Sequence, residues 1–260
     1  MTRHFNSASR VCTILQKAAV FKTQNLNVGG FGFGANSRAV DVWSTVFGFP
    51  AESSVERNLE VGAMLKVLHN EIELAYQTVK ATVSVSPELY EDAYQNARTC
   101  ASVDNLSQAW DTQVQLLSAE TLRALGFCAE IVPDEEQPIN PEELASLAQQ
   151  VEELRSAVIN GALPNDAKAF LLNQILIIED AIRKYPLQGG RAFGSGMAEA
   201  VAEMARHENI VKQNSRSEEF NSLRKVWNFI REKNTDVDVI MKVLAGGATI
   251  AGIAGKLIGS

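Results

Sequence analysis

The residue types that most often carry chemistry are present in this chain, but their spacing matches none of the familiar reactive motifs. Residues 30–35 read Gly-Phe-Gly-Phe-Gly-Ala, a literal GxGxxA. A dinucleotide site also needs a preceding strand, a following helix and an acidic residue about 20 positions further on. Residues 25–28 are a poor strand, so the pattern predicts a flexible or aromatic-packing loop. The alternative is a loop that places its two phenyl groups on a partner or membrane surface.

The histidines and serines give no catalytic or metal-binding pattern. His4, His69 and His207 are far apart, and none has a histidine or cysteine partner one helical turn away, which argues against a zinc site. Ser195 stands in Gly-Ser-Gly without the GxSxG spacing of a nucleophile elbow. The chain also lacks a Walker A sequence and an HExxH motif. We therefore expect a protein that is not an enzyme, with no catalytic, cofactor-binding or metal-ligating residues.

Cysteine content and charge indicate the redox compartment of the protein and the classes of partner it can bind. The three cysteines are odd in number and lack CxxC spacing, which predicts free, mostly buried thiols in a reducing compartment. The net charge of −7 argues against binding to nucleic acid. Residues 1–40 contain no acidic residue, whereas an acidic stretch occupies residues 130–153. The acidic stretch predicts a solvated face, and the basic N-terminus predicts either a flexible tail or an organellar transit peptide.

Apolar residues recur at helical spacing through most of the chain, which predicts an all-α, multi-helix bundle. The stripe from Val61 to Val79 predicts a long helix over residues 54–82, and further helices are expected over 87–101, 106–117 and 119–132. Asn140, Pro141 and Glu143 form a helix-start signature. They open an αα-hairpin over residues 140–185, with Gly161 as its C′ residue and Pro186 as its end. We expect the long helix of residues 54–82 to cover this hairpin.

The sequence predicts three regions. Residues 1–53 form a basic, glycine-containing segment, irregular except for a short helix around residues 40–47. Residues 54–235 form the bundle body, which includes helices bearing Phe193 and Trp227. Residues 236–260 form a Gly/Ala-rich apolar C-terminal helix.

The C-terminal helix is the unusual feature, because thirteen residues between Lys242 and Lys256 carry no charge. Glycine costs about 1 kcal/mol relative to alanine in a helix interior, so small side chains must bring a compensating gain here. They recur at four-residue spacing, as in the close-packed helices of membranes. The interpretations left open are burial in the protein's own core or against a second copy, membrane contact, and a recognition tail. The residues expected to mediate membrane contact or self-association are Lys242, Gly247, Ala248, Ala251, Gly252, Gly255, Lys256 and Gly259.

The segment of residues 122–185 resembles a group of uncharacterised bacterial helical proteins. The shared pattern is a helix ending in Phe-Cys-Ala-Glu-Ile, an acidic linker, an αα-hairpin and a Gly/Ala-rich apolar C-terminus. This resemblance implies a bacterial, cytoplasmic protein and brings no assigned activity, so it transfers no site residue.

Two functional hypotheses follow from these features. The first is a membrane-acting effector or toxin-like protein, with phage defence as one context, which is cytoplasmic or peripheral at the inner membrane and contacts the bilayer through residues 239–259. The second is a helical scaffold or interaction protein that forms a homo-oligomer, or binds a protein partner of unknown identity, through the same helix.

Overall fold

A computed structural model describes residues 4–22, 26–28, 31–33, 37–50, 52–82 and 85–233, with only the backbone described for Lys22 and for residues 26–28 and 31–33. The all-α fold class is confirmed for this part of the chain. The chain divides into two compact units, Met1–Glu136 and Gln137–Ser260. The unit boundary therefore lies inside the region that the sequence presents as one bundle body, and the predicted boundaries at residues 53 and 235 stay predictions.

The first unit is built around α3 (Val55–Thr82), a helix of 28 residues. Its predicted apolar stripe from Val61 to Val79 is fully buried, because the 3.6-residue period keeps these side chains on one side of the helix. The other elements of this unit are α1 (Ser7–Ala19), β1 (Leu26–Val28), β2 (Phe31–Phe33), α2 (Ala39–Val46), α4 (Glu91–Cys100), α5 (Trp110–Gln113) and α6 (Ala119–Ile131).

α1 packs against both α3 and α6, and α4 packs against the same two helices. Trp43 of α2 stacks on Phe47 at a ring-centroid distance of 5.5 Å and meets the edge of Trp110 at 5.6 Å. Trp43 lies in the core, with 1% of its surface exposed.

The second unit begins with the predicted αα-hairpin, formed by α7 (Pro141–Asn160) and α8 (Asn165–Gln188). Asn140 accepts a hydrogen bond from the N–H of Glu142, and the Glu143 carboxylate accepts from the N–H of Asn140, so the predicted helix start is confirmed. The remaining helices of this unit are α9 (Gly190–Arg206), α10 (Glu208–Asn214) and α11 (Glu218–Lys233).

The helices that cover the hairpin differ from the expectation. α9 and α10 pack on α8, and α11 packs on α7, all within the second unit. α3 instead buries its stripe against α1, α2 and α4 of the first unit. Periodicity shows that a face needs covering, but it does not show which helix covers it.

The C-terminal ends of α7 and α8 also differ from the prediction. Pro186 lies inside α8 rather than ending it. The N–H of Gly189 still donates to the Tyr185 carbonyl at 2.8 Å, so the helix continues to Gly189, whose φ of 61° ends it. Gly161 has φ −69° and is not left-handed. A Cβ at Gly161 would lie 2.5 Å from the Glu219 carboxylate and 2.8 Å from the Ala157 carbonyl oxygen. The Glu219 side chain can move aside but the backbone carbonyl cannot, so the close approach of Ala157 is what favours glycine here.

Three local predictions for the first unit are also corrected. Residues 106–117 do not form one helix: α5 has four residues and lies between two 3₁₀ turns. α1 is a core helix in the segment predicted to be irregular, with Val11, Ile14 and Leu15 buried. The poor strand at residues 26–28 pairs with residues 31–33 in an antiparallel hairpin.

Candidate functional site

The eight residues predicted to mediate membrane contact or self-association lie outside the described residues, which end at 233. The predicted C-terminal helix that contains them therefore stays a prediction. The described residues nearest to it form its attachment point, and polar clusters lie in both units.

The attachment point is the C-terminal end of α11, which lies beside the first turn of α7. The Lys233 ammonium contacts Glu143 Oε1 at 2.6 Å, while Glu143 also caps its own helix through the N–H of Asn140. The Lys233 ammonium lowers the pKa of the Glu143 carboxyl, and the N–H of Asn140 acts in the same direction. The last described residue of the chain is thus tied to one end of the hairpin.

The densest group of charges in the first unit is the Arg10 cluster, which consists of Arg10, Glu71, Glu135 and Glu136. The Arg10 guanidinium contacts Glu135 at 2.6 Å, Glu136 at 3.0 Å and Glu71 at 3.9 Å. The Glu71 side chain is only 2% exposed. Because a buried carboxylate needs a compensating partner, Arg10 acts in part to neutralise Glu71.

Asn6 and Ser7, which precede Arg10 in the sequence, also contact the segment of residues 129–136. The contacts between residues 4–10 and 129–136 are called the junction. Asn6 is fully buried: its Nδ2 donates to the carbonyls of Ala129 and Val132 at 3.0 and 2.8 Å, and its Oδ1 accepts from the N–H of Ser9. Asn6 therefore caps the start of α1 and the end of α6 at once.

Ser7 binds the Glu135 carboxylate through both its hydroxyl at 2.6 Å and its N–H at 2.8 Å. Burial acts to raise the pKa of Glu135, but the two Ser7 hydrogen bonds and the Arg10 guanidinium outweigh it and lower that pKa. The charged form of Glu135 is therefore the one that this junction stabilises.

His4 lies between two carboxylates at the same junction. Its Nε2 is 3.0 Å from Glu130 and its Nδ1 is 3.4 Å from Asp134, whose carboxylate also accepts from the N–H of Phe5 at 2.7 Å. Residues 4–10 are thus held along residues 129–136 by side-chain contacts. The sequence predicted a solvated face for the acidic stretch of residues 130–153. Glu130 and Asp134 are indeed exposed, at 61% and 51%, while Glu135 and Glu136, at 29% and 16%, are partly covered by Arg10.

The three cysteines are free and buried, as expected from the sequence. Burial raises the pKa of Cys12 to about 11, that of Cys100 to about 12 and that of Cys128 to about 11. A thiol nucleophile needs a lowered pKa, so none of the three is activated.

The remaining chemistry-bearing residues are separate from one another. Ser195 is exposed in α9 and His69 is exposed in α3. His207 follows α9 and lies 3.5 Å from Glu203. The part of the chain that the structure describes holds no group of three or more His, Cys, Asp or Glu side chains arranged to bind a metal ion. Among the described helices, none combines the length and apolar content needed to cross a membrane.

The sequence did carry a signal for the junction around Arg10. Residues 1–40 are basic and free of acids, whereas residues 130–136 contain four; opposite charge in two distant segments is a reason to pair them. No family model matches the chain. Comparison with curated proteins and with solved structures likewise finds no match.

Proposed function

We propose that the chain is a non-enzymatic helical protein that docks to a membrane through an apolar C-terminal helix over residues 236–260, in an effector or toxin-like role. The observation that carries this proposal is the charge-free stretch of residues 243–255 between Lys242 and Lys256. Exposing thirteen such residues to water is unfavourable in free energy unless another surface covers them.

The length of the segment favours docking over a conventional span. The two lysines are 14 residues apart, or about 21 Å along a helix, while a hydrocarbon core is about 30 Å thick. Lysine side chains reach toward the headgroups with their ammonium ends in water. A helix of this kind lies at the interface or enters the bilayer only partly.

The connection to the folded part supports the same proposal. α11 ends in the polar residues Arg231, Glu232 and Lys233, and Lys233 is fixed to Glu143 of α7. The described chain therefore ends at an exposed residue, and α11 has its own buried stripe from Phe220 to Ile230.

The test is flotation of the full chain with vesicles of phosphatidylethanolamine and phosphatidylglycerol, together with leakage of an entrapped dye. We expect binding by the full chain and none by a chain ending at Thr235. Ile250→Lys should weaken binding at least about tenfold, because a lysine in the apolar part of a membrane helix costs several kcal/mol. Ser260→Lys adds the same charge at the end of the segment and should leave binding unchanged.

Equal flotation of the full and shortened chains, or of the two lysine variants, would overturn the proposal. The same samples test self-association, the second function that the small residues at 247, 251 and 255 favour. In that case Gly252→Leu changes the mass measured by sedimentation while no variant binds vesicles.

A further inference from the structure

The outward side of the αα-hairpin carries two exposed aliphatic side chains and a third that is partly buried. These side chains, Ile159 on α7 and Leu172 and Leu176 on α8, are called the hairpin strip below. Ile159 is 57% exposed and Leu176 is 55% exposed, while Leu172 is partly buried. Leu172 and Leu176 are one helical turn apart and therefore neighbours on the surface of α8.

Two polar links join α7 and α8 on the side of the hairpin that bears these residues. The Lys168 ammonium donates to the Ile159 carbonyl at 3.1 Å. Arg155 contacts Glu179 at 2.5 Å. Ile159 lies one turn beyond Arg155, and Leu176 lies just before Glu179, so the three aliphatic side chains lie between the two links.

The direction of α11 brings the end of the described chain to the correct end of the hairpin. Glu219, at the start of α11, lies against Gly161 at the end of α7, and Lys233 contacts Glu143 at the start of α7. α11 therefore runs antiparallel to α7. A chain that reverses direction after Lys233 travels back along the hairpin toward Ile159.

The length of the C-terminal segment also matches the length of the hairpin. Residues 234–238 reach about 17 Å when extended, which exceeds the 8–10 Å spacing of packed helices. As a helix, residues 239–259 would span about 31 Å, and α7 has 20 residues, or about 30 Å. In that helix Ile250 would lie about 17 Å from residue 239, while Arg155 lies about 18 Å along α7 from Glu143. A helical segment laid back along the hairpin would therefore bring Ile250 to the level of the Arg155–Glu179 link and of Leu176.

We propose that, away from a membrane, the hairpin strip of Ile159, Leu172 and Leu176 binds this chain's own C-terminal segment, residues 239–259. This inference rests on the proposed function, because it names the surface that shelters the segment before it docks. Glycine and alanine in the segment allow a helix backbone to approach the hairpin closely. Membrane docking then requires release of the segment from the strip.

The buried native thiols make a direct test practical. Cys12, Cys100 and Cys128 are buried with raised pKa values, so a short bismaleimide reacts selectively with introduced surface cysteines. The full chain carrying Leu176→Cys and Ile250→Cys is treated in buffer without lipid. We expect a cross-link within one chain, located by mass spectrometry and independent of protein concentration.

The matched control replaces Leu176→Cys by Glu153→Cys, with Ile250→Cys kept. Glu153 is exposed on the same helix as Arg155 but two residues earlier, on the side away from α8. Cross-linking should fall at least about tenfold. Comparable yields from both pairs, or a product of twice the chain mass, would overturn the inference, the latter by assigning the strip to a second copy.

Vesicles separate the two proposals. If both hold, adding the vesicles lowers the yield of the Leu176–Ile250 cross-link, and Ile159→Ser with Leu176→Ser strengthens flotation. Leu59→Ser, at a 70% exposed residue of α3, is the matched control and should leave flotation unchanged. Cross-linking without flotation would reject membrane docking and retain the strip. Flotation without cross-linking in buffer would reject the strip and retain docking.

Discussion

Replacing Asn6 should destabilise the first unit more than any other single polar change near its N-terminus. Asn6 is fully buried; its side chain donates two hydrogen bonds to carbonyls at the end of α6 and accepts one from the N–H of Ser9 in α1. Loss of an N-cap side chain costs about 1 kcal/mol, and a buried carbonyl left without its donor costs about 1–2 kcal/mol. Asn6→Ala should therefore lower the free energy of unfolding by about 3–5 kcal/mol, from a total of about 5–15 kcal/mol for a typical domain.

A second substitution separates the two roles of Asn6. Asn6→Ser keeps an oxygen that accepts from the N–H of Ser9 but has no group to reach the carbonyls of Ala129 and Val132. It should lose about 2–4 kcal/mol and so stay about 1 kcal/mol more stable than Asn6→Ala. The matched control is Thr13→Ala, since Thr13 is an exposed α1 residue that bonds only within its helix. We expect a change below about 0.5 kcal/mol there.

Urea unfolding followed by tryptophan fluorescence measures these differences. Trp43 and Trp110 belong to the first unit and Trp227 to the second, so a Trp227→Phe background restricts the signal to the unit that contains Asn6. The slope against urea should stay constant while the midpoint moves. An Asn6→Ala loss no larger than that of Thr13→Ala would refute the double capping role.

Two further predictions concern acid and thiol chemistry. The pKa of Glu135 is lowered by folding from an ordinary value of 4.5, so its stabilising contribution is present above pH 4.5 and is lost as pH falls below it. Ser7→Ala should consequently cost about 1 kcal/mol at pH 7 and less at pH 3, as read from urea midpoints; a cost that does not depend on pH would contradict this. Burial of Cys12, Cys100 and Cys128 predicts that a thiol reagent labels none of them in the native chain at pH 8 and all three in urea. Rapid labelling of any one before unfolding would show that its surroundings are more open than described.

Local signals in the sequence predicted the local features of this fold. Asn140, Pro141 and Glu143 act within one helical turn, so their roles follow from their order alone. The stripes of α3, α7, α8 and α11 were equally visible because each helix carries its own period. α1 was missed because polar Ser7 and small Ala8 occupy its buried face, and burial there depends on distant partners such as Glu135.

The spacing of apolar residues did not predict features that depend on partners distant in the sequence. The Arg10 cluster joins residues about 125 positions apart, and only the opposite charges of the two segments indicated that they pair. Pro186 was assigned as a helix end because proline lacks an N–H, but so near the end of α8 the missing bond is a single one. The hairpin strip also required the structure, since the sequence alone does not show that Ile159 and Leu176 lie on the same side of the packed α7 and α8 helices.

The junction between residues 4–10 and 129–136 has a consequence for synthesis on the ribosome. The N–H of Glu135 donates to the Phe5 carbonyl, so the first unit closes only when its beginning meets its end. At elongation rates of about 5–20 residues per second, α1 waits roughly 6–25 seconds for its partner to be translated. During that interval its apolar side, with Val11 and Leu15, has no α6 to cover it, and a nascent-chain chaperone would find a target there.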